Sequence, residues 1–502
     1  MALTAEKTLI VGSLAPASMA EALASAPLAA GVDLVEVRLD GMAEAPGFPA
    51  LRDAFQGATL VATLRSAAEG GASRRDGSSG RALLEEALAA GFDLVDVEFR
   101  AGENAGLLGF PLEKVIVSVH DLEGLPPDLP GLAERMAATG ARHVKIVGTA
   151  NDSSDALRVL EAQSALAARN VSVLAMGEAG VATRVLAPYL GAPLAYGALV
   201  RGRGTAPGQI AARDLEGVYG VGRLRRAGRL FALFGGRVSH SCSPALHNAR
   251  FEALGEEALY VPFALRSLVN ELPALREGLA RLGLPLSAAS ITIPFKEEAA
   301  SLAEASEPVN TLLLGADGRI RGANTDAEAM ETLIPPARGK ERALVLGAGG
   351  TARTAVGVLR KKGYEVFVSA RDRERGETLA SRSGSSFLSG SPSGVSPRVL
   401  VNATPLGLGA DDPLPCDPSL LTPGLMVVDA PYREGGTALV RAARAAGAAV
   451  VDGFALLLAQ AAGQAALFSG LPCTPADLSD RLEPRLRGLF VSPTDAPTGV
   501  PA

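Results

Sequence analysis

The sequence predicts an α/β protein: an N-terminal (β/α)8 TIM barrel, then a two-domain α/β unit with a Rossmann-type nucleotide domain. Three observations predict it. First, about eight short β-type runs alternate with alanine-rich helical stretches between Leu9 and Leu199, the number that closes a barrel of ~250 residues or fewer. Second, LVLGAGGTARTAVGVLRKKGYEVFVSARDRER (344–375) reads as strand, glycine turn, helix and strand. Third, each half carries its own lysine with a polar partner: Lys145 with His120, and Lys296 with Asp326.

A chain of 502 residues exceeds one ordinary core, and ~3 domains is the expectation. The order of strand runs and motifs is expected to divide it into a barrel at 1–220, a substrate-binding domain at 229–335 plus 455–490, and a nucleotide domain at 336–454. A glycine-bearing linker lies near 216–228, and a Pro- and Thr-rich tail at 491–502 is expected to be disordered. Hydrophobic residues make up 48% and charged residues 20%, with a net charge of −6. That balance gives no attraction to nucleic acid or to an anionic membrane surface. No apolar run approaches the ~18 residues of a spanning helix. The N-terminal MALTAEKTLIVGSL shows neither a signal-peptide nor a transit-peptide pattern. Cys242, Cys416 and Cys473 lie far apart with no CxxC pair. No disulfide and no metal site is therefore expected, which fits a reducing cytoplasm.

The barrel runs, in order, are LIVGSL, LVEVRLD, LVATLRS, LVDVEF, VIVSVHD, HVKIVG, VSVLAMG and LAYGAL. Stretches between them, such as RALLEEALAAG and DALRVLEAQSALAARN, have helical periodicity and good helix formers. The runs carry Glu36, Arg38, Arg65, Glu98, His120 and Lys145. A lone charge in a buried strand is expensive, whereas several near strand C-termini are what a barrel active site presents. A lysine desolvated in the barrel mouth loses part of its preference for the charged form, and its amine can attack a carbonyl to form a Schiff base. The imine acidifies an adjacent C–H, which a histidine can take before protonating a leaving hydroxyl. Arg38, Arg65 and Arg184 suit a carboxylate-bearing substrate. Strand-end residues satisfied by salt bridges are the competing reading of Lys145 and His120. Their occurrence on separate runs, together with three arginines, favours the catalytic one.

In the second half, FALFGGRVSHSCSPALHNARFEALG ends a strand at the turn SHSCSP and opens a helix. Ser241 and Ser243 alternate across Cys242, so both hydroxyls can point one way. Such serines also cap helices; Ser243–Pro244 is expected to cap this one while Ser241 binds ligand. Gly347, Gly349 and Gly350 let backbone N–H groups and the helix N-terminus approach a pyrophosphate. After the next strand, Arg371, Arg373 and Arg375 favour the 2′-phosphate of NADP, while Asp372 keeps NAD open. A Lys–Asp pair suits carbonyl reduction: hydride addition builds charge on oxygen, and an ammonium stabilises it and supplies the proton. An alanine-rich helix from Phe454 is expected to return to the substrate domain.

EVRLD (36–40), TLRSAAEGG (63–71), SVHDLEG (118–124), VKIVG (144–148), MGEAGVATR (176–184) and TAPGQI (205–210) resemble type I 3-dehydroquinate dehydratase. The resemblance implies Lys145 as the Schiff-base lysine and His120 as general acid/base. It implies Glu36, Arg38, Arg65, Arg184, Thr205 and Gln209 as substrate ligands, with Arg184 on the carboxylate and Thr205 in place of the usual serine. Glu98 is implied to orient His120, and 201–209 to be a mobile lid. SHSCSPALHN, SITIPFKE, VNTL, GANTD, GAGGTA, VNATPLGL, DAPY and GFALLLAQA look like shikimate dehydrogenase, over roughly 230–475. That resemblance implies Lys296 and Asp326 as the catalytic pair. It implies Ser241, Ser243, Thr292, Asn310, Tyr432 and Gln460 as substrate ligands, and Gly347, Ala348, Gly349, Gly350, Arg371, Asn402 and Thr404 around NADP. The two families catalyse consecutive steps, so 3-dehydroquinate, 3-dehydroshikimate and shikimate are the implied small-molecule partners; a homo-oligomer is compatible with the sequence. One alternative is a second half that uses NAD and also takes quinate. Another is a metabolite-sensing regulator, which the retained Lys145, His120, Lys296 and Asp326 argue against.

Overall fold

The computed structural model describes residues 7–73, 77–99, 109–222, 228–389, 394–409, 411–433 and 435–479. The expected tail at 491–502 and residues 223–227 of the expected linker lie outside them. The chain forms two compact units, Met1–Pro244 with Leu254–Ser287, and Ala245–Ala253 with Ala288–Ala502. Among the described residues no helix is long and apolar enough to cross a membrane.

All eight expected barrel runs form strands: β1 Leu9–Leu14, β2 Leu34–Arg38, β3 Thr59–Thr63, β4 Leu94–Glu98, β5 Val115–His120, β6 His143–Thr149, β7 Val171–Met176 and β8 Leu194–Ala198. They pair in parallel in the order β7-β6-β5-β4-β3-β2-β1-β8. Each strand feeds two cores because successive side chains face opposite ways. Leu9, Val11, Leu34, Val61, Leu94 and Ile116 fill the interior. Val35, Val37, Leu60, Ala62, Val95 and Val117 pack outward against the helices. No ladder joins β7 to β8. Instead the fully buried Ser172 closes that seam, donating to Leu194 O at 3.0 Å and accepting from Leu194 N at 3.2 Å.

The first unit continues into β9 (Arg229–Gly235) and β10 (Ala258–Ala264), parallel and buried along nearly their whole length. The helix Leu268–Arg281 packs on the barrel helix Ser153–Ala165. Glu271 accepts from Ser153 N at 3.1 Å and Ser153 Oγ at 2.6 Å, and Arg281 pairs with Glu161 at 3.2 Å. The compact units therefore do not divide at the expected boundary near 220–229: this packing joins 254–287 to the barrel.

β11 (Leu286–Ile291), β12 (Thr311–Leu314) and β13 (Ile320–Ala323) complete a five-stranded sheet of order β10-β9-β11-β12-β13, with β12 antiparallel to both neighbours. In the second unit a parallel six-stranded sheet contains β14 (Arg342–Leu346), β15 (Glu365–Ser369), β16 (Ser386–Phe387), β17 (Val399–Asn402), β18 (Met426–Asp429) and β19 (Ala449–Val451). Its order, β16-β15-β14-β17-β18-β19, reverses between β14 and β17. This is the doubly wound arrangement whose ligand crevice opens at that switch point. The helix Gly453–Ser469 begins at the Asp452 cap, returns along the helix Thr325–Leu333 and ends at Gly470.

Candidate functional site

The barrel mouth gathers the inward side chains of its strand ends around a cavity of about 200 Å³. Lys145 Nζ lies 3.0 Å from Glu36 Oε1, 3.4 Å from Asp96 Oδ2, and 4.2 Å over the Tyr196 ring. Burial would raise both carboxyls. Lys145 together with the Ser13 hydrogen bond outweighs it at Glu36, and Arg65 with Lys145 and the Ser118 hydrogen bond at Asp96, so both are held below the usual carboxylate range. The lysine is thus not merely desolvated; two carboxylates face it. Glu36, expected to touch substrate, also accepts from Ser13 Oγ at 2.6 Å and Thr63 Oγ1 at 3.1 Å, so its oxygens are already engaged.

Two other expectations change with the geometry. Glu98 does not meet His120. It accepts from Ser66 N at 2.8 Å and pairs with Arg65 at 3.3 Å. Glu69 takes its place, accepting from His120 N at 3.0 Å and lying 3.0 Å from His120 Nδ1. This leaves Nε2 as the ring nitrogen open to a bound molecule. Arg65, expected as a substrate ligand, lines the cavity but is largely spent on protein partners: Asp96 at 2.8 Å, Ser118 Oγ at 3.0 Å, Glu69 at 3.1 Å and Glu98. Burial, then the nearby Arg65 and Lys145, pushes His120 well below its ordinary value. Burial, against the pull of Arg65, raises Glu69 to about 8. Near neutral pH the imidazole is therefore uncharged.

Arg184 stands apart. It lines the cavity from the helix Val181–Leu186, is 4% exposed, and its Nε and Nη2 have no hydrogen-bond partner. Burial pushes the guanidinium down to about 10. Arg38 lines the same cavity while clamping Asp40 at 2.6 and 2.8 Å. Thr205 and Gln209, also on the wall, bond to each other, with Thr205 N to Gln209 Oε1 at 2.6 Å. Their loop is tied down by ion pairs of Arg201 with Asp214 and of Arg203 with Glu21.

In the second unit Lys296 opens the helix Lys296–Leu302 and bonds Asp326 in the first turn of Thr325–Leu333. Its Nζ also reaches Thr351 Oγ1 at 3.4 Å. A Cβ at Gly350 would lie 3.2–3.3 Å from the lysine stem, so this glycine lets the lysine approach the nucleotide-domain helix Gly350–Lys361. Gly347 has φ +111, which favours glycine, and a Cβ there would lie 3.0 Å from Ala403 O across the switch point. Gly349 caps the helix, and Ala348 between them is half-buried. Arg371 is exposed on the turn after β15 and makes no hydrogen bond or ion pair among the described residues. Asp372 instead caps the helix Arg373–Ser383 through Arg375 N and pairs with Arg375 at 3.4 Å.

Four of the expected dehydrogenase-half ligands have protein partners in the structure. Asn402 is fully buried and donates to Asp429 Oδ1 at 2.7 Å and Leu406 O at 3.1 Å, while its oxygen accepts from Thr404 N and Oγ1. Both donors of Asn402 and the hydroxyl of Thr404 shape their own turn. Asn310 bonds Thr325 and Thr311, which fixes the turn that carries Asp326. Gln460 Nε2 folds back on Leu457 O at 3.1 Å. Thr292 and Tyr432 are half-buried. In the first unit Ser241 Oγ accepts from Ser243 N at 3.2 Å at the start of the helix Ser243–Leu254, and its hydroxyl hydrogen remains able to donate.

Residues 11–224 match the Type I 3-dehydroquinase family, and 233–315 match the Shikimate dehydrogenase substrate binding domain. Over 484 residues the chain is 31% identical to the bifunctional 3-dehydroquinate dehydratase/shikimate dehydrogenase, chloroplastic, of Arabidopsis thaliana, covering 88% of this chain and 78% of that protein. The chain belongs to the bifunctional 3-dehydroquinate dehydratase/shikimate dehydrogenase family. It is also 39% identical, over 48% of its length and 90% of the relative, to shikimate dehydrogenase (NADP(+)) of Rubrobacter xylanophilus. Among solved structures, shikimate dehydrogenase from Aquifex aeolicus is similar at 31% identity and a TM-score of 0.46, covering 51% of this chain and 97% of that one.

In this bifunctional family member, sequence reasoning passed over three residues at the barrel mouth. Glu69 lies inside TLRSAAEGG, four residues after Arg65, and was quoted without a role. Asp96 alternates with Glu98 along β4, and that second inward acid was the available signal. Tyr196 is buried with an unpartnered hydroxyl under Lys145; nothing in LAYGAL marks it.

Proposed function

We propose that the barrel dehydrates 3-dehydroquinate through a Schiff base on Lys145 and that the second half reduces the resulting 3-dehydroshikimate to shikimate with NADPH. The observation that carries the first step is Arg184: a buried, unpartnered guanidinium on the same cavity wall as Lys145 and His120. An unpaired buried cation is unfavourable unless an anion arrives, and a substrate carboxylate is that anion. Lys145 then attacks the ketone and water leaves. Glu36 and Asp96 hold Lys145 in place; of the ammonium's three protons, two leave in the water and one stays on the imine nitrogen. His120, neutral and held at Nδ1 by Glu69, removes the proton from the adjacent carbon and returns it to the departing hydroxyl. Arg38, Thr205 and Gln209 bind the remaining hydroxyls, and hydrolysis of the imine frees Lys145.

In the second half Lys296 holds the proton delivered to the carbonyl oxygen, and Asp326 fixes the ammonium and accepts from a hydroxyl. Ser241, Ser243, Thr292, Tyr432 and Gln460 are proposed substrate ligands; Asn310 acts by fixing the Asp326 turn. NADPH, when bound, supplies the hydride. The NADP(+) in the relative's name is carried to this chain on two supports. Arg371 is uncommitted, and Asp372, the residue that favours NAD, is engaged as a helix cap. A cytoplasmic location is part of the same proposal, argued from three cysteines that lie far apart in the sequence with no CxxC pair.

Purified protein fed 3-dehydroquinate and NADPH should oxidise the cofactor after a lag in which the conjugated intermediate absorbs. Lys145→Ala should stop that reaction and leave shikimate oxidation intact. Borohydride added with 3-dehydroquinate should place one ligand mass on Lys145. A label elsewhere would overturn the assignment.

A further inference from the structure

We propose that Glu178, a barrel residue, positions the serine turn of the dehydrogenase half. The proposal rests on the reading of Ser241 as a dehydrogenase substrate ligand. Glu178 lies on the loop after β7, two residues beyond Met176 on the cavity wall and six before Arg184. The hydrogen bonds of its carboxylate among the described residues all leave the barrel. Oε2 accepts from Val238 N at 3.1 Å and Ser239 N at 3.3 Å, and Oε1 from Ser239 Oγ at 2.5 Å. A carboxylate holding two successive amides and a hydroxyl fixes the backbone of that turn. The turn then closes on the serine itself: Ser241 N donates to Val238 O at 3.2 Å, and Ser241 Oγ accepts from Ser243 N.

The same loop supports the barrel's own mouth. Gly177 N donates to Pro207 O at 3.2 Å, next to the segment that carries Thr205 and Gln209. Residues 177–178 are thus a brace with one module's substrate loop on each side. Its purpose is not simply to hold the modules together, because Ser153–Glu271 and Glu161–Arg281 already do so elsewhere. A carboxylate from the dehydratase therefore completes the geometry in which the dehydrogenase meets its substrate hydroxyls.

The test uses the full chain and steady-state oxidation of shikimate by NADP. Glu178→Ala should raise the KM for shikimate by about fivefold or more, the scale of losing a set of modest hydrogen bonds. kcat, the KM for NADP and dehydratase kcat/KM should be unchanged. Glu178→Gln keeps one acceptor and should fall between. Ser153→Ala, which loosens the other contact, should leave the shikimate KM alone. An unchanged KM in Glu178→Ala, while Ser241→Ala raises it, overturns the proposal alone. An equal rise in Ser153→Ala overturns it in favour of general loosening. If neither Glu178→Ala nor Ser241→Ala moves KM, the serine assignment falls and takes the proposal with it.

Discussion

Replacing Arg184 by methionine should separate two effects of opposite sign. The guanidinium is buried with Nε and Nη2 unsatisfied among the described residues, and burial lowers it from its ordinary value to about 10. At about 1.36 kcal/mol per pH unit, that difference is worth about 3 kcal/mol. Both values lie above neutrality, so the penalty is present in full at pH 7 and fades only as pH rises through the interval between them. Methionine keeps much of the stem volume and removes the charge. The ligand-free barrel should therefore gain stability, with its midpoint rising by several degrees at about 2–4 °C per kcal/mol for a domain of this size. Dehydration should suffer: a charge-assisted bond to a carboxylate contributes about 1.5–3 kcal/mol, so KM for 3-dehydroquinate should rise roughly tenfold to a hundredfold. Calorimetry of the full chain reads the first effect, and initial rates of conjugated-product formation read the second. A variant that melts lower than wild type with an unchanged KM would show that Arg184 has a structural partner, and the argument from the unpaired cation would fail.

His120 is held neutral well below its ordinary 6.5, so dehydratase kcat/KM should not halve near that pH as it would for a free imidazole; a titration there that vanishes in His120→Ala contradicts the burial argument. His120→Ala itself should lower dehydration by ~10² or more while the borohydride adduct still forms. Lys296→Ala and Asp326→Ala should each lower kcat for shikimate oxidation by ~10² or more with NADP binding retained, and normal kcat with weakened NADP binding would assign the pair elsewhere. Arg371→Ala should weaken NADP by roughly tenfold to a hundredfold and leave NAD unaffected; equal use of both nucleotides by the wild type would favour the quinate-type alternative.

The barrel was legible because each strand is a short apolar run with charges at its end, and period-2 alternation sends those charges inward. Partner choice inside the mouth was not. Glu69 reaches His120 across 51 residues of sequence through a single turn of 3-10 helix at Ala67–Glu69, and no local pattern encodes that approach. Glu98 stands two residues past Asp96 and was the more visible acid, but its oxygen is captured by Ser66 N and Arg65. Ser241 and Ser243 could exchange capping and binding roles without changing the pattern. The bond from the Asn402 amide to Asp429, 27 residues on, is likewise invisible to local pattern. Division into compact units escaped the order of motifs altogether, since it follows packing of the helix Leu268–Arg281 on Ser153–Ala165.

The interrupted ladder between β7 and β8 has a consequence for how the barrel breathes. Every other neighbouring pair of barrel strands is stitched by backbone bonds along its length. Here one serine hydroxyl serves a single residue of the facing strand, beside a void of about 10 Å³ that Arg184 also lines. Opening this seam breaks few bonds, so it lies at the low end of local unfolding free energies. Amide hydrogens of Leu194–Ala198 that face β7 should exchange with solvent ahead of those on β5 and β6, and water entering there reaches Arg184, which has no ion-pair partner among the described residues. The seam beside Arg184, the proposed carboxylate ligand, is also the place where the cylinder most easily comes apart.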